Sequence, residues 1–328
     1  MILSNRFRKS FVGMMSLSLI FSGAISVNAQ EQTELNVSKN VGKQVTLSSV
    51  PLTVYNDGRV AGINSPENMS QQQKHDVLKL MRFTDEEIAA FPDDLENDLL
   101  KDGGIKIELN QYDYTHTYTD ENGIDHIVTP ENEAEVNLAR QKAAGELALK
   151  SGGITPYGSV NEDIFTGTGV LTYLGETSTE FKYKYRTTFN WSSMPSLRFV
   201  DSIGQSWQNH TVSIGSTYDY DRYSNGYFEH KDRVELHQGN VYGTTADIDL
   251  DSHAGRHYGY IEDEVRIPLT YRNTTGQFAS AYAHAWYPAL IKDISLNIGN
   301  YVSITINGEG DKWSWKNTFK IGSTSLTS

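Results

Sequence analysis

Between residues 181 and 186 two kinds of side chain alternate without a break. Phe181, Tyr183 and Tyr185 fall on one face of an extended chain, and Lys182, Lys184 and Arg186 fall on the other. A period of two cannot wrap into an amphipathic helix, so this stretch reads as a half-buried β-strand. Tyr301 to Ile306 and Trp313 to Ile321 repeat the pattern. Turn signals punctuate the same half of the chain at Leu174-Gly175-Glu176, Ser224-Asn225-Gly226, Gln238-Gly239-Asn240, Thr275-Gly276 and Asn307-Gly308. Many short strands at spacings of about ten residues indicate an antiparallel sandwich or barrel, and roughly ten strands fit into residues 156–328. No fixed period recurs, which opposes a propeller or solenoid.

Residues 30–155 have a different texture, mixing helical segments with hairpins. The runs Gln44 to Leu47 and Leu52 to Tyr55 read as strands, with Asn56-Asp57-Gly58 turning the chain into Arg59-Val60. Ser70 can cap a helix that places Val77, Leu78 and Met81 on one face, and Thr84 with Glu87 forms a capping-box pattern ahead of Ile88. Pro92 suits the first turn of a helix carrying Leu95, Leu99 and Leu100, which Gly103-Gly104 ends. Strand candidates Ile105 to Tyr118 and His126 to Thr129 flank the hairpin signal Asp120-Glu121-Asn122-Gly123. A last helix is expected from Glu131 to Lys150, with Ser151-Gly152-Gly153 as a joint. The expected fold is therefore mainly β, α+β overall, with a small α+β region over 30–155 ahead of an antiparallel β-sandwich over 156–328.

The first 29 residues read as an export signal. Arg6, Arg8 and Lys9 precede an apolar run from Phe11 to Ile25 and then Val27-Asn28-Ala29, which places cleavage after Ala29. The run contains Ser16, Ser18, Ser22 and Gly23 and falls short of the roughly 20 apolar residues of a membrane span. The mature chain is thus expected outside the cell and not as an integral membrane protein. Removal of the signal takes three cations and no acid, moving the formal charge from -13 to -16. With 28 Lys and Arg against 41 Asp and Glu, a nucleic-acid backbone is not the expected partner. The chain has no cysteine, which excludes disulfides, a thiol nucleophile and Cys-based metal sites. An exported chain without disulfides needs a large core, and this absence fits a Gram-positive bacterial origin. In such a chain the Asn-x-Ser/Thr triplets at Asn36, Asn68, Asn190, Asn209 and Asn273 carry no glycosylation meaning.

Candidate chemistry concentrates in the segment 247–257. In a strand Asp247, Asp249 and Asp251 share one face, and His253 and His257 follow across a turn, a set of hard oxygen and imidazole groups that suits a divalent ion. The EF-hand pattern fails, with Ser252 where glycine belongs and Tyr258 where glutamate belongs. The alternative is an ordinary strand with Ile248 and Leu250 inward and the acids in solvent. Trp191, Trp207, Trp286, Trp313 and Trp315 all fall in the β-rich half, where they either stack on sugar rings or build the core; the core reading is preferred because large aromatics are mostly buried. Hydrolase signatures are missing: Gly204-Gln205-Ser206-Trp207-Gln208 lacks the closing glycine of a nucleophile elbow. Gly167-Thr168-Gly169 lacks the helix that a phosphate loop needs. No catalytic residue, metal ligand or cofactor is assigned.

Phe83 to Ile88 through Pro92-Asp93-Asp94-Leu95 to Gly103-Gly104, and Phe189-Asn190-Trp191 through Met194-Pro195 to Asp201-Ser202-Ile203, resemble segments of a diffuse group of uncharacterised secreted, cysteine-poor proteins of Gram-positive bacteria. The resemblance implies a short helical region followed by a β-sandwich and brings no activity with it. Three functional readings stay open. The first is a secreted non-enzymatic protein that binds an extracellular or cell-wall ligand such as a polysaccharide. The second is a membrane-active protein of the toxin or bacteriocin type, with strands 179–190 and 209–219 lining a barrel. The third is an extracellular hydrolase with an unrecognised site.

Overall fold

Both capping boxes form. Ser70 Oγ accepts from the Gln73 backbone N–H at 3.3 Å, and Thr84 Oγ1 accepts from that of Glu87 at 3.2 Å. Each glutamine or glutamate reaches back to the cap's own N–H. They start helices α1 (Gln71–Leu80) and α2 (Asp85–Ala90), and Pro92 precedes α3 (Asp93–Asp102). Gly103 ends α3 at φ 69°, where a Cβ would lie 2.5 Å from the carbonyl oxygen of Val60. A side chain there would clash with the neighbouring strand, so glycine is required on two counts.

The computed structural model describes residues 41–151 and 165–324, apart from residues 194, 196, 209, 214–217, 225–228, 233–235, 241, 251–255, 288–290, 298–300 and 307. The expected signal segment, Asp251, His253, and Gly152 and Gly153 of the joint lie outside the described residues.

The strands run in chain order as β1 (Gly42–Leu47), β2 (Val50–Tyr55), β3 (Val60–Ala61), β4 (Gly103–Ile107), β5 (Asn110–Thr119) and β6 (Asp125–Ile127). Helix α4 (Glu133–Ser151) follows. Then come β7 (Phe165–Glu176), β8 (Glu180–Trp191), β9 (Val200–Trp207), β10 (Val212–Ser213), β11 (Tyr218–Ser224), β12 (Glu229–Asp232), β13 (Leu236–Asn240) and β14 (Gly243–Asp249). The last are β15 (Arg256–Pro268), β16 (Thr275–Ala285), β17 (Ile291–Asn297), β18 (Tyr301–Ile306) and β19 (Gly310–Lys320). The expected strand from Ile105 to Tyr118 is two strands, β4 and β5, and they enter different sheets.

The fold is an antiparallel β-sandwich. One sheet has the order β1-β2-β3-β4-β7-β8-β15-β11-β12, with β10 also paired to β15, and the other has the order β13-β14-β9-β16-β19-β5-β6. A short pair, β17 and β18, stands beside them. Strands from residues 42–127 thus contribute to both sheets, through β4 against β7 and β5 against β19. The inner faces interlock through aromatics. Phe181, Tyr183 and Tyr185 meet Trp207, Phe278 and Phe319 at one end, and Phe165, Phe189 and Trp191 meet Tyr282, Trp313 and Trp315 at the other. Tyr185 stacks on Phe278 with centroids 4.2 Å apart.

The opposite face of β8, which carries Lys184 and Arg186, is not open to solvent. Helices α1 to α3 lie on that side, packing Leu78, Leu95 and Leu99 against Val170 and Tyr260. Lys184 and Arg186 are ion-paired there to Asp102 of α3 and to Glu262 of β15. Strand β8 therefore sits mid-sheet, with helices over one face and the second sheet over the other. Among the described residues no helix is long and apolar enough to cross a membrane.

Candidate ligand-binding groove

All five tryptophans are in the interior, none more than 3% exposed. Trp191 Nε1–H donates to Tyr282 Oη at 3.0 Å, and Tyr282 donates in turn to Asp201 at 2.7 Å. Trp286 Nε1–H donates to Asp311 at 2.9 Å. Buried aromatic rings cannot present a face to a sugar, so any glycan contact must be built from other residues.

The described ends of the 247–257 segment separate rather than converge. Strand β14 alternates as expected, with Ile248 and Leu250 buried and Asp249 exposed. Asp247, on the same face as Asp249, accepts from Ser202 Oγ at 2.8 Å. His257 belongs to the other sheet and is fully buried, its ring edge-on to Phe189 at 5.7 Å. Asp247 and His257 are therefore on opposite sides of the seven-stranded sheet. Among the described residues no three His, Asp or Glu side chains converge as metal ligands would.

One Asp–His pair has the geometry of half a catalytic triad. His284 Nδ1 lies 2.9 and 3.1 Å from the two oxygens of Asp201. Burial is the main cause pushing the Asp201 carboxyl above the usual range, with His284 opposing it. However, His284 is 1% exposed and Asp201 is 0%, and His284 Nε2 meets no hydrogen-bonding group among the described residues. A triad needs a nucleophile at that nitrogen and a path for substrate. Here the pair serves as a polar link between β9 and β16.

An open polar groove of about 390 Å³ occupies the place where the two sheets and the helical layer meet. The crossover from β4 to β5 forms one wall with Lys106, Ile107, Glu108 and Asn110. The end of β19 and the residues after it form another with Thr318, Phe319, Lys320, Ser323 and Thr324, and Asn273 and Thr275 close the rim. Arg82, at φ 75° between α1 and α2, completes the lining.

The backbone holds this lining in place. The Lys106 N–H donates to the Met81 carbonyl at 2.9 Å, the Asn273 N–H donates to the Ile321 carbonyl at 2.9 Å, and the Ile321 N–H donates to the Thr274 carbonyl at 3.0 Å. Arg82 Nη1 donates to the Thr324 carbonyl. Lys106 Nζ lies 2.5 Å from Glu87 Oε1, whereas Lys320 is exposed with no ion pair among the described residues. Phe319 and Ile107 are buried beneath the polar rim. The groove thus presents side-chain amides and hydroxyls from Asn110, Asn273, Thr275, Thr318, Ser323 and Thr324, with three cations and one carboxylate.

None of these residues stands out in the sequence as part of a site, although Thr275 marks a turn and Thr318 to Lys320 fall in an alternating strand. Their numbers run from 82 to 324, and only the fold brings them together. Asn273 was visible only as part of an Asn-Thr-Thr triplet.

No protein-family model and no curated protein matches the sequence. Among solved structures, the collagen binding subdomain ACE19 of the Enterococcus faecalis surface protein ACE aligns over 48% of this chain and 95% of its own, at 10% identity and a TM-score of 0.29. The collagen binding domain of the Erysipelothrix rhusiopathiae surface protein RspB aligns over 47% of this chain and 50% of its own, at 10% identity and a TM-score of 0.27. A structure of Streptococcus parasanguinis Fap1 aligns over 50% of this chain and 100% of its own, at 6% identity and a TM-score of 0.24. Likenesses at this level carry no argument about what the chain binds.

Proposed function

We propose that this chain is a secreted, non-enzymatic binding protein whose groove takes a segment of an extracellular or cell-wall polysaccharide. The observation that carries the reading is the density of amide and hydroxyl side chains around one open, backbone-anchored cavity. Sugar hydroxyls are donors and acceptors at once, and Asn, Ser and Thr side chains offer the matching pair of functions. The buried apolar floor of Ile107 and Phe319 supports a fixed shape for the site. The Asp201–His284 pair, sealed from substrate, offers no hydrolytic site, and the secreted part of the reading rests on the pattern of residues 1–29.

The test is retention of purified residues 30–328 on insoluble peptidoglycan, on isolated cell-wall polysaccharide and on whole bacterial cells. Retention that weakens when Asn110 and Thr318 are both replaced by alanine is the expected result. Failure to be retained on any of these surfaces refutes the reading.

A further inference from the structure

We infer that the ligand of the groove is anionic, a glycan chain bearing carboxylate or phosphate groups that Lys320 and Arg82 read directly. This deepens the polysaccharide reading above and rests on it.

The argument is one of local charge against overall charge. The chain carries a formal charge of -13, so its average surface repels anions. The groove reverses that sign, with Arg82, Lys106 and Lys320 against Glu108 alone. The three cations differ in availability. Lys106 is held by Glu87 at 2.5 Å and acts as part of the wall. Arg82 bonds the Thr324 carbonyl through Nη1, and a guanidinium has further N–H donors in a fixed fork that matches a carboxylate or phosphate. Lys320 is exposed at the end of β19, opposite Thr275 in the β16 ladder, and has no ion pair among the described residues. An unpaired ammonium donates to the hydroxyls of a neutral sugar, but to a carboxylate or phosphate it makes an ion-paired hydrogen bond that is the stronger of the two, so it favours the acidic ligand.

A second cavity supplies the contrast. A cleft of about 330 Å³ between the β5–β6 hairpin, α4 and Glu309 is lined by Asp120, Glu121, Glu135 and Glu309, with Lys142 its sole lysine. It shares the scale of the groove and has the opposite sign, so of these two clefts the groove is the one that suits an anion.

The experiment measures binding of residues 30–328 to three soluble probes by titration calorimetry: an oligogalacturonate, its full methyl ester, and a poly(glycerol phosphate) chain. The expected result is that at least one acidic probe binds about tenfold or more tightly than the ester, with affinity falling as salt is raised. Lys320→Glu should abolish that preference and Lys320→Arg should keep it. Lys142→Glu, in the acidic cleft, should leave it unchanged. Melting temperatures of all three variants should stay near the parent, because these are exposed substitutions. Preference for one acidic probe over the other identifies carboxylate or phosphate as the source. Equal binding of acid and ester, or an acid preference that survives Lys320→Glu, overturns the inference and leaves the polysaccharide reading standing. If no probe binds, the anion inference falls, and retention on cell walls decides the broader reading separately.

Discussion

Four charged side chains fasten the helical layer to the sandwich, and removing one of them should cost far more than removing a matched pair. Arg186 Nε lies 2.7 Å from Glu262 Oε2 and Arg186 Nη2 lies 2.5 Å from Asp102 Oδ2. Lys184 Nζ lies 2.7 Å from Asp102 and 3.1 Å from Glu262. Arg186 is fully buried and Glu262 is 2% exposed. Burial is the largest cause holding the Glu262 carboxyl above the usual range, and Arg186 and then Lys184 oppose it. The cluster is neutral as a set, two cations against two acids.

Glu262→Gln leaves Lys184 and Arg186 facing Asp102 alone. An uncompensated buried charge of this kind costs about 3–5 kcal/mol, which for a domain of this size corresponds to roughly 10 °C in Tm. Arg186→Met with Glu262→Met removes one charge of each sign and leaves the Lys184–Asp102 pair intact. That double variant should lie within about 1–2 kcal/mol of the parent, losing the Arg186 bonds to Asp102 and to Thr172 Oγ1 and the Lys184 contact with Glu262. Chemical denaturation of the parent, Arg186→Met, Glu262→Met and the double variant yields the coupling energy, with Glu262→Gln measured beside them. A cost below about 1 kcal/mol for Glu262→Gln would refute the view of this cluster as a charge-balanced clamp. So would a double variant worse than the sum of the singles.

Three further outcomes follow from the same geometry. Glu96 on α3 is 7% exposed, its Oε2 has no partner among the described residues, and its pKa is raised by burial first and by Asp93 second. A carboxyl raised in the folded state holds its proton to higher pH than in the unfolded chain, so stability falls as pH rises between the two values. Glu96→Gln should therefore gain about 1 kcal/mol at pH 7 and lose that gain as pH drops through the window, which urea melts at several pH values would reveal. Gly167 faces the core where a Cβ would lie 2.3 Å from Trp315 Cη2, so Gly167→Ala should cost about 1–3 kcal/mol and perturb tryptophan fluorescence. Asp311 accepts from Arg140 at 2.6 and 3.0 Å and from Trp286 at 2.9 Å, and it lies 2.9 Å from His116 Nε2. Asp311→Ala should release α4, with faster hydrogen exchange over residues 133–146 and unchanged protection in β7 and β8; unaltered exchange in α4 would contradict it.

The features legible in the sequence were those set by local rules. Capping boxes at Ser70 and Thr84 act within four residues, and alternation in β8 needs only a strand with one apolar face. The cationic face of β8 shows where local rules end. Lys184 and Arg186 read as solvent-facing by pattern, yet α3 lies over them, and only the pairing with Asp102 and Glu262 makes that burial tolerable. The crossover at Glu108 was missed for a related reason. An extended run from Ile105 to Tyr118 satisfies strand propensity throughout, and nothing local says that β4 pairs with β7 while β5 pairs with β19. The groove forms at that crossover, so the residues that line it were as invisible as the crossover itself.

The absence of cysteine called for a large aromatic core, and the sandwich supplies it with a polar seam added. Tyr185 Oη meets Ser280 Oγ at 2.6 Å, Ser280 meets Thr187 at 2.8 Å, Thr187 donates to Gln205 at 2.9 Å, and Gln205 donates to Asp263 at 2.9 Å. The seam passes from β8 to β16 and β9 and back to β15, joining the two sheets through their shared interior. Apolar side chains alone tolerate sliding of one sheet over the other, because their contacts are non-directional. Hydrogen bonds between named atoms do not, since a shift of one residue would orphan several buried polar groups at about 1–3 kcal/mol each. Gly169 fits this account: a Cβ there would lie 2.7 Å from Asn317 Nδ2 and 2.8 Å from Tyr185 Oη, the start of the seam. In a chain with no cysteine to form a covalent cross-link, such a seam fixes how the sheets stack, and with it the spacing between the ends of β4 and β19 that sets the width of the groove.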